Sequence, residues 1–284
     1  MALTRRLLLG GAPGAMAGCV PAGAAGTPTS GGGESTMSSP SPSTTPAGPL
    51  LRIAAASDLH YGEKGTTYER FADELIERLN ATHAATPLDL VVLNGDLAHA
   101  ARWLDPLRVR LRALAPPLLA VPGNHDEATE RQWRELWGHG FDHAVTVNGV
   151  RIVCAATSNP AGAYRCAATG VLRRQLDAAA GAPVIVAMHI TPVAWTRYGI
   201  DCPAVTGLLA GYRNVQAVLN GHDHDEYGVK TRGGVPYLFD AHAGGHWGTA
   251  FRGFRVLELH PASIETHVTD GVTIRRRDSL PRRS

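Results

Sequence analysis

The sequence lacks a long apolar run, and it lacks an excess of charge of one sign. No run approaches the roughly 20 apolar residues that a membrane-spanning helix needs, so none is predicted. The 27 basic and 25 acidic residues give a formal net charge of +2, which argues against nucleic-acid binding in bulk. With 44% hydrophobic and 18% charged residues, the chain is typical of a globular protein and is long enough for one sizeable domain.

The first 18 residues are typical of an export signal rather than of a folded domain. Arg5 and Arg6 form a pair that precedes a short apolar segment, and this arrangement resembles a twin-arginine export signal. The segment from Met16 to Cys19 resembles a lipoprotein cleavage box with Cys19 as the lipidated residue, although Leu, Val or Ile is usual in place of Met16. The alternative is an Ala/Gly-rich disordered start with an incidental cysteine.

Residues 19–49 are composed almost wholly of Pro, Gly, Ser, Thr and Ala after Cys19, which predicts a disordered tether. Together these segments predict an exported protein, held by a lipid at the outer face of the bacterial cytoplasmic membrane. An oxidising setting of that kind allows Cys166 and Cys202, both in predicted loops, to pair, and the sequence leaves that pairing open. Cys154 lies inside an apolar strand and is predicted to be a buried hydrophobic residue.

Five short apolar runs each end in Asp, Asn or His. The runs with their endings are Ile53–His60, Leu90–Asp96, Leu118–Asp126, Val184–His189 and Val215–His224. Such runs are typical of buried strands, and open α/β sheets keep their sites at the carboxyl ends of strands. In the last run two imidazoles, at i and i+2, can serve one metal ion or two. A polar turn is the alternative for any single ending, but five endings in order favour one shared site.

Segments with helical spacing separate the predicted strands. Tyr68–Ala85 and Trp103–Leu114 are predicted to be helices, and shorter helices are predicted at 131–137 and 172–180. Asn148-Gly149, between extended segments at 144–147 and 151–155, predicts a hairpin. The alternation of strand and helix over the first half of the chain predicts βαβ units and a sheet with parallel strands.

The second half of the chain favours further strands. Segments 226–231, 235–239, 251–259 and 264–268 are predicted to be antiparallel strands that close a second sheet. The predicted fold class is therefore α/β, a two-sheet β-sandwich of mixed strands flanked by helices, over residues 50–270. Residues 190–204 are predicted to be an irregular loop. Residues 271–284 are predicted to be a basic, frayed C-terminal tail, with contact to an anionic membrane surface as the alternative.

The motifs at the strand ends form a specific series. Asp-x-His at 58–60, Gly-Asp at 95–96, Gly-Asn-His-Asp at 123–126, His at 189 and Gly-His-x-His at 221–224 occur in this order. The series resembles that of the calcineurin-like metallophosphoesterase superfamily, and the resemblance covers about residues 51–240. It implies the αββα sandwich of that superfamily and hydrolysis of a phosphodiester or phosphomonoester by a metal-bridging hydroxide.

The resemblance implies a centre that holds two divalent or trivalent metal ions, such as Mn, Fe or Zn. It places Asp58, His60, Asp96 and His224 on one ion, and Asp96, Asn124, His189 and His222 on the other. Asp96 is the implied bridge between the ions. Anionic oxygen bridges two cations, while neutral imidazole and amide donors complete each shell without excess negative charge. Two ions about 3.5–4 Å apart can hold a phosphoryl oxygen and lower the pKa of a bridging water.

The resemblance also implies roles for residues beside the metals. His125 is expected to donate a proton to the leaving alkoxide, and Asp126 to orient the His125 ring through its other nitrogen. His99 lies where purple acid phosphatases carry a metal-binding Tyr, and it is expected to line the pocket, with metal binding as the alternative. His242 and His246 either touch the substrate or belong to a Gly-rich surface turn.

The leading interpretation is a phosphoesterase that acts on a small-molecule substrate. Its Asp-x-His opening is closer to the diesterase branch of the superfamily than to the purple acid phosphatases, which slightly favours a phosphodiester. The alternative is a non-catalytic exported lipoprotein that binds a phosphorylated ligand at a vestigial dinuclear site. His125 argues against this alternative, because a binding protein needs no acid for a leaving group.

Overall fold

A computed structural model describes residues 48–284. The predicted export signal, Cys19 and the tether up to residue 47 lie outside the described residues. Within residues 48–284, no helix is both long enough and apolar enough to cross a membrane.

The described residues form twelve strands and five α-helices. The strands are β1 Leu51–Ala56, β2 Leu90–Asn94, β3 Leu118–Val121, β4 His143–Val147, β5 Val150–Cys154, β6 Val184–Ala187, β7 Val215–Asn220, β8 Val229–Arg232, β9 Val235–Phe239, β10 Phe254–Leu259, β11 Ser263–Thr269 and β12 Ile274–Pro281. The helices are α1 Tyr68–Ala85, α2 Leu104–Arg110, α3 Glu130–Trp137, α4 Thr169–Asp177 and α5 Pro203–Gly211. Short 3₁₀ segments at Ala101–Trp103 and Leu111–Ala113 flank α2, so the predicted helix at 103–114 is helical in three pieces.

Each of the two sheets has six strands, of which some are parallel and some antiparallel. The first sheet has the order β12-β11-β10-β1-β2-β3, in which β1, β2 and β3 are parallel. The second has the order β4-β5-β6-β7-β9-β8, in which β5, β6, β7 and β9 are parallel. The carboxyl ends of parallel strands in one sheet meet at one edge, so the five motif-bearing strands deliver their endings to two sheet edges.

Alternating side chains of the central strands build the layers of the fold. Leu51, Ile53 and Ala55 of β1 belong to the cluster between the sheets, together with Ile185 of β6 and Leu219 of β7. The intervening residues of β1, Ala54 and Ala56, pack with Phe71, Leu75 and Leu79 of α1. On the outer face of the second sheet, Leu172 of α4 and Val205 of α5 pack with Val186 and Val218. The result is the predicted two-sheet sandwich with helices on both outer faces.

Three predictions for the second half of the chain need correction. Residues 254–259 and 263–269 do not close the second sheet, because β10 pairs antiparallel with β1 and extends the first sheet. In the second sheet β9 lies parallel to β7, and only β8 runs antiparallel to β9. The basic segment predicted to be a frayed tail contains β12, which pairs with β11 and forms the edge of the first sheet.

The predicted loop at 190–204 ends earlier than expected. Pro203 is the first residue of α5, a helix for which the sequence analysis gave no prediction. Proline suits the first turn of a helix because its missing N–H would have no partner there. The loop before it is fastened by a disulfide between Cys166 and Cys202, whose Cα atoms are 5.7 Å apart. Cys154 is free and buried, as predicted.

Candidate metal centre

The first sheet delivers four predicted site residues from the ends of three neighbouring parallel strands. Asp58 and His60 follow β1, Asp96 follows β2 and Asn124 follows β3. All four are at least nine-tenths buried. Burial of two carboxylates at one sheet edge is costly unless positive charge compensates them.

The second sheet delivers the remaining predicted ligands from two adjacent parallel strands. His189 follows β6, and His222 and His224 follow β7. The ring of His189 touches both carboxylates of the first sheet, with Nε2 3.1 Å from Asp96 Oδ2 and 3.7 Å from Asp58 Oδ1. The strand ends of the two sheets therefore converge on one point.

Two overlapping groups of donor atoms lie at this point. One contains Asp58, Asp96, His189 and His222, the other contains Asp58, His60 and His224, and the ligand atoms within each group lie within 4.8 Å of one another. Asp58 belongs to both groups, and Asp96 Oδ2 lies 3.9 Å from His60 Nε2. Both carboxylates thus lie between the two groups, and the role of Asp96 as the single bridge stays a prediction.

Several buried atoms that could bind a metal ion have no hydrogen-bond partner among the described residues. They are Asp58 Oδ1, Asn124 Oδ1, His189 Nε2 and His222 Nε2. The 3.1 Å contact of His189 with Asp96 is close but not aligned as a hydrogen bond. Buried polar atoms normally find a partner, and carboxylate, amide and imidazole donors together suit a metal cation. The residues present therefore fit the metal centre that the motifs predict.

The backbone at the site is held in an uncommon conformation. Asp58, His60, Asp96 and His222 have φ angles of 57°, 49°, 50° and 68°. Non-glycine residues rarely adopt this left-handed region, and such strain persists where the surrounding structure enforces it, commonly at functional sites. The turns after β1, β2 and β7 therefore adopt an unfavourable backbone conformation, and this conformation orients these four side chains toward the site.

Hydrogen bonds to backbone carbonyl groups fix the orientation of two of the histidine ligands. The Nδ1 atom of His189 lies 2.8 Å from the Asn94 carbonyl oxygen, and that of His224 lies 3.0 Å from the Trp247 carbonyl oxygen. These bonds leave Nε2 of both rings turned toward the site. The Nε2 atoms of His60 and His224 face each other at 3.2 Å. Backbone bonds of this kind select the tautomer of a metal-binding histidine.

The charges of the site are arranged for cation binding. Burial lowers the pKa of His60 and of His222 to about 4, so both rings are neutral and keep a free lone pair. Burial alone would raise the pKa of Asp58 and Asp96, but the charge of His189 holds both well below their usual range. Burial opposes protonation of His189, yet Asp96 and Asp58 raise its pKa to about 10.

The structure assigns Asp126 a place different from the predicted one. Its two carboxylate oxygens accept hydrogen bonds from the backbone N–H groups of Ala98 and Gly123, both at 2.8 Å. Among residues 48–284 no hydrogen bond joins Asp126 to His125, so this geometry gives no support to the prediction that Asp126 orients the His125 ring. Burial, with Asp96 nearby, raises the pKa of Asp126 to about 8. Asp126 braces the loop after β2 against the loop after β3.

His125 and His99 form a pair beside the metal ligands. The ring of His125 lies 4.8 Å from that of His60 and stacks on that of His99 at 4.9 Å. Both side chains are half-buried, and His60, His99 and His125 form a third group whose nitrogen atoms lie within 4.8 Å. His99 therefore lies beside the ligands, and its role in the pocket stays a prediction.

The two histidines after β9 differ from each other. His242 is buried, stacks on His224 at 4.7 Å and has ring nitrogens 2.6 and 2.8 Å from the carbonyl oxygens of Gly244 and Thr249. It supports a ligand and offers no free atom to a substrate. His246 is exposed and contacts Glu63. His242 therefore does not fit the expectation of a solvated histidine in a surface turn, whereas the exposed side chain of His246 does.

Two aromatic residues of the site were missed by sequence reasoning. Trp247 stacks on His224 with centroids 3.8 Å apart and planes 2° from parallel. Tyr164 packs its ring at right angles to that of His222, at 4.9 Å. A tryptophan between His246 and Gly248 in a glycine-rich segment was a usable signal, whereas an exposed loop tyrosine carried none.

Comparisons with solved structures agree with the fold described above. A search of curated proteins found no match. A dimetal phosphatase from Danio rerio has a TM-score of 0.68 and 14% identity, over 82% of this chain and 99% of that one. A purple acid phosphatase from yellow lupin (Lupinus luteus) seeds has a TM-score of 0.56 and 13% identity, over 81% of this chain and 53% of that one. At these identities the likeness is one of fold.

A family model adds evidence at the level of sequence. The model for calcineurin-like phosphoesterases matches residues 51–226, which is more than half of the chain and includes every predicted metal ligand. With the two-sheet fold and the converging donor atoms, this match shows that the chain belongs to the calcineurin-like phosphoesterase family.

Proposed function

We propose that the protein is a metal-dependent phosphoesterase that holds two metal ions and hydrolyses a small-molecule phosphodiester or phosphomonoester. The observation that carries the proposal is the convergence of four unpartnered, buried donor atoms, from Asp58, Asn124, His189 and His222, at the carboxyl edge of both sheets. Carboxylate oxygen, amide oxygen and imidazole nitrogen together form a donor set that suits a divalent metal cation.

Seven side chains are assigned as ligands. Asp58, His60 and His224 belong to one site, and Asp96, Asn124, His189 and His222 to the other, with a carboxylate shared between them. The mixture of oxygen and nitrogen donors without thiolate suits Mn, Fe or Zn. When bound, the ions supply Lewis acidity that polarises a phosphoryl oxygen and lowers the pKa of water.

The residues of the chain supply orientation and a proton. Carbonyl groups of Asn94 and Trp247 hold the rings of His189 and His224 with Nε2 toward the metal site. His125 is half-buried beside His60 and donates a proton from its ring to the leaving oxygen. Its backbone N–H donates to Asp96 Oδ1 at 2.8 Å, which couples the position of the acid to that of a ligand.

Turnover of bis-p-nitrophenyl phosphate by residues 48–284 with added Mn²⁺, Fe²⁺ or Zn²⁺ tests the proposal, with Asp96→Ala as the inactive control. We expect turnover that depends on metal and is absent from the control. The Asp58-x-His60 opening favours faster turnover of this diester than of p-nitrophenyl phosphate. A folded protein that binds phosphate but turns over neither substrate with any of the three metals would instead support a non-catalytic binding protein.

We also propose that the chain is exported and carries a lipid on Cys19. The twin-arginine pair and the cleavage box motivate this proposal, and the disulfide between Cys166 and Cys202 supports it. Disulfides persist in oxidising compartments and are rare in the cytosol. An anchor at Cys19 would leave a tether of about 30 residues before the domain, enough to extend it away from the membrane surface.

A further inference from the structure

Three loops at the carboxyl edge of the sandwich each place one aromatic ring beside the metal ligands. Tyr164 lies in the loop 155–168 after β5, Tyr198 in the loop 188–202 after β6, and Trp247 in the loop 240–253 after β9. The rings of Tyr164 and Tyr198 stand at 90° and 86° to that of His222, with centroids 4.9 and 6.0 Å away. Trp247 lies 4.9 Å from Tyr198. We call these three residues the aromatic rim.

The loops of the aromatic rim are fastened to the site and to each other. The disulfide between Cys166 and Cys202 ties the loop of Tyr164 to that of Tyr198. At Gly162, a Cβ would come within 2.9 Å of the Asn124 carbonyl oxygen, so only glycine lets the first loop approach so closely. At Gly248, a Cβ would lie 2.2 Å from the Cβ of His224. The loops of the rim therefore pack directly on the proposed metal ligands Asn124 and His224.

The chemistry of the aromatic rim suits a planar aromatic group of a ligand more than an acyl chain. Tyr164 is 45% exposed, and the other exposed large hydrophobic side chains in residues 48–284 lie before β1, on α2 and at the turn into β12. No exposed large aliphatic side chain therefore lies in the three loops of the rim to receive an acyl chain. The guanidinium of Arg197 lies 4.6 Å from the Tyr198 centroid, so this ring already holds one flat group. Aromatic faces bind planar groups by stacking with little dependence on their identity.

We propose that the aromatic rim binds a planar aromatic substituent of the phosphoester, of which a nucleobase is the leading chemical class. The inference rests on the proposed function, since it is the metal centre that places the phosphoryl group beside His222. Trp247 has one face on His224, so it supports the rim, while Tyr164 and Tyr198 meet the substituent. Removal of one stacking ring is expected to weaken binding of the substituent roughly 5- to 100-fold.

Paired ligands that differ only in the ring test this inference. Adenosine 5′-monophosphate and ribose 5-phosphate share the phosphate and the ribose, and phenyl phosphate and methyl phosphate make the same comparison without ribose. Calorimetry on the Mn²⁺-loaded protein gives the ratio of dissociation constants within each pair. We expect adenosine 5′-monophosphate to bind roughly 5- to 100-fold more tightly than ribose 5-phosphate. Tyr164→Leu and Tyr198→Leu should each bring that ratio toward one.

Matched variants separate stacking from general damage. Tyr164→Phe keeps the ring and should keep the ratio, and Tyr212→Leu removes a tyrosine far from the site, at the end of α5, and should also keep it. A ring preference in both ligand pairs would support the inference for any aryl group, and a preference in the nucleotide pair alone would support it for a nucleobase.

Two outcomes would overturn the inference. One is a ratio near one in the wild-type protein, and the other is equal weakening of both members of a pair in the leucine variants. Failure of the proposed function is a separate result, because it would show as absence of turnover while the ligand ratio is measured by binding alone.

Discussion

His189 illustrates how a single residue couples metal binding to protonation. Its ring lies between two buried carboxylates, and Asp96 and Asp58 raise its pKa to about 10 against the opposing effect of burial. In the metal-free protein the protonated ring takes the place of a cation. Because a metal ligand has to be a neutral imidazole, binding of a metal at this position requires loss of that proton.

The first prediction follows from this proton. At pH 7, below the raised pKa of His189, metal binding should release about one proton from this ring, and the affinity for Mn²⁺ should rise about tenfold per pH unit between pH 6 and 9. The ion contacts of protonated His189 should stabilise the metal-free fold fully below pH 6.5, an effect that is lost as the pH rises through 10. Calorimetric titration in buffers of different ionisation enthalpy measures the proton release.

The control for this prediction is His189→Asn, which removes one titrating ring and should lower the proton release by about one proton. Burial opposes protonation of His224, but Asp58 raises its pKa as well, so His224 accounts for the release that remains. An affinity for Mn²⁺ that stays constant from pH 6 to 9 in the wild-type protein would contradict it. His60 and His222 do not interfere, because burial lowers the pKa of each to about 4 and both are neutral in this range.

The second prediction concerns the proton that His125 supplies. His125→Ala should slow hydrolysis of an alkyl phosphoester by roughly 10²–10⁴-fold, the usual effect of removing a general acid. The loss should be smaller with p-nitrophenolate, which leaves with little need of a proton. Metal content should stay unchanged, because the backbone N–H of residue 125 still donates to Asp96. Equal losses for both leaving groups would assign His125 a positioning role.

Among the elements, the loops that follow the strands determine the arrangement of the site, because they carry its ligands. Asp126 is the clearest case, since one carboxylate binds backbone N–H groups in two loops, at Ala98 and at Gly123. The loop after β2 carries Asp96 and the loop after β3 carries Asn124, so Asp126 sets the distance between two ligands. Its contribution is to the arrangement of elements rather than to proton transfer.

The third prediction follows from this brace. Asp126→Ala leaves two N–H groups without an acceptor and should lower the free energy of unfolding by roughly 2–4 kcal/mol. Asp105→Ala, at an exposed ion pair on α2, should have a much smaller effect. Urea unfolding of the metal-free proteins measures both. Unchanged stability of Asp126→Ala, together with the leaving-group dependence of His125→Ala, would restore the orienting role.

The fourth prediction concerns the disulfide between the loops after β5 and β6. It closes a segment of 36 residues, for which the chain-entropy estimate of stabilisation is about 3–4 kcal/mol. Cys166→Ser/Cys202→Ser should therefore unfold at lower urea concentration than the wild type. Dithiothreitol should destabilise the wild type and leave the double variant unaffected. An equal response of both proteins to the reductant would show that the disulfide does not form in solution.

Local patterns account for the parts of the fold that were predicted. Each motif-bearing strand combines an apolar run with polar residues directly after it, so both the strand and the place of its ligands follow from adjacent residues. The partners of Asp126 lie in two loops and depend on how β2 and β3 pair, which no local pattern contains. The sequence did not predict β12, because three consecutive arginines, Arg275 to Arg277, interrupt the alternation of apolar and polar residues that is typical of a strand. Charged residues are nevertheless common on an edge strand.

On the scale of the whole molecule, the order of folding, metal loading and export becomes testable. Ligands from five loops of two sheets meet only after the sandwich has formed, so metal loading follows folding. A twin-arginine route carries folded proteins and would allow metal to be loaded before export. This consideration connects the dispersed ligands with the signal that Arg5 and Arg6 resemble.

The fifth prediction tests that connection in cells. Arg5→Lys/Arg6→Lys should retain the protein in the cytoplasm, and Cys19→Ala should block lipid attachment and release the domain from the membrane fraction. Fractionation and detection of the domain measure both effects. Normal export of the double lysine variant would exclude the twin-arginine route, and unchanged membrane partition of Cys19→Ala would exclude the lipid anchor.

In the proposed function, one convergent set of buried ligand atoms holds the metals that hydrolysis requires. The most direct test of this function is titration of metal-free residues 48–284 with Mn²⁺ while bound metal and turnover of bis-p-nitrophenyl phosphate are measured together. We predict two bound ions per chain at full activity, and loss of both tight metal binding and turnover in Asp96→Ala. Turnover that is complete without bound metal, or an Asp96→Ala variant that retains two ions and near wild-type turnover, would contradict the account.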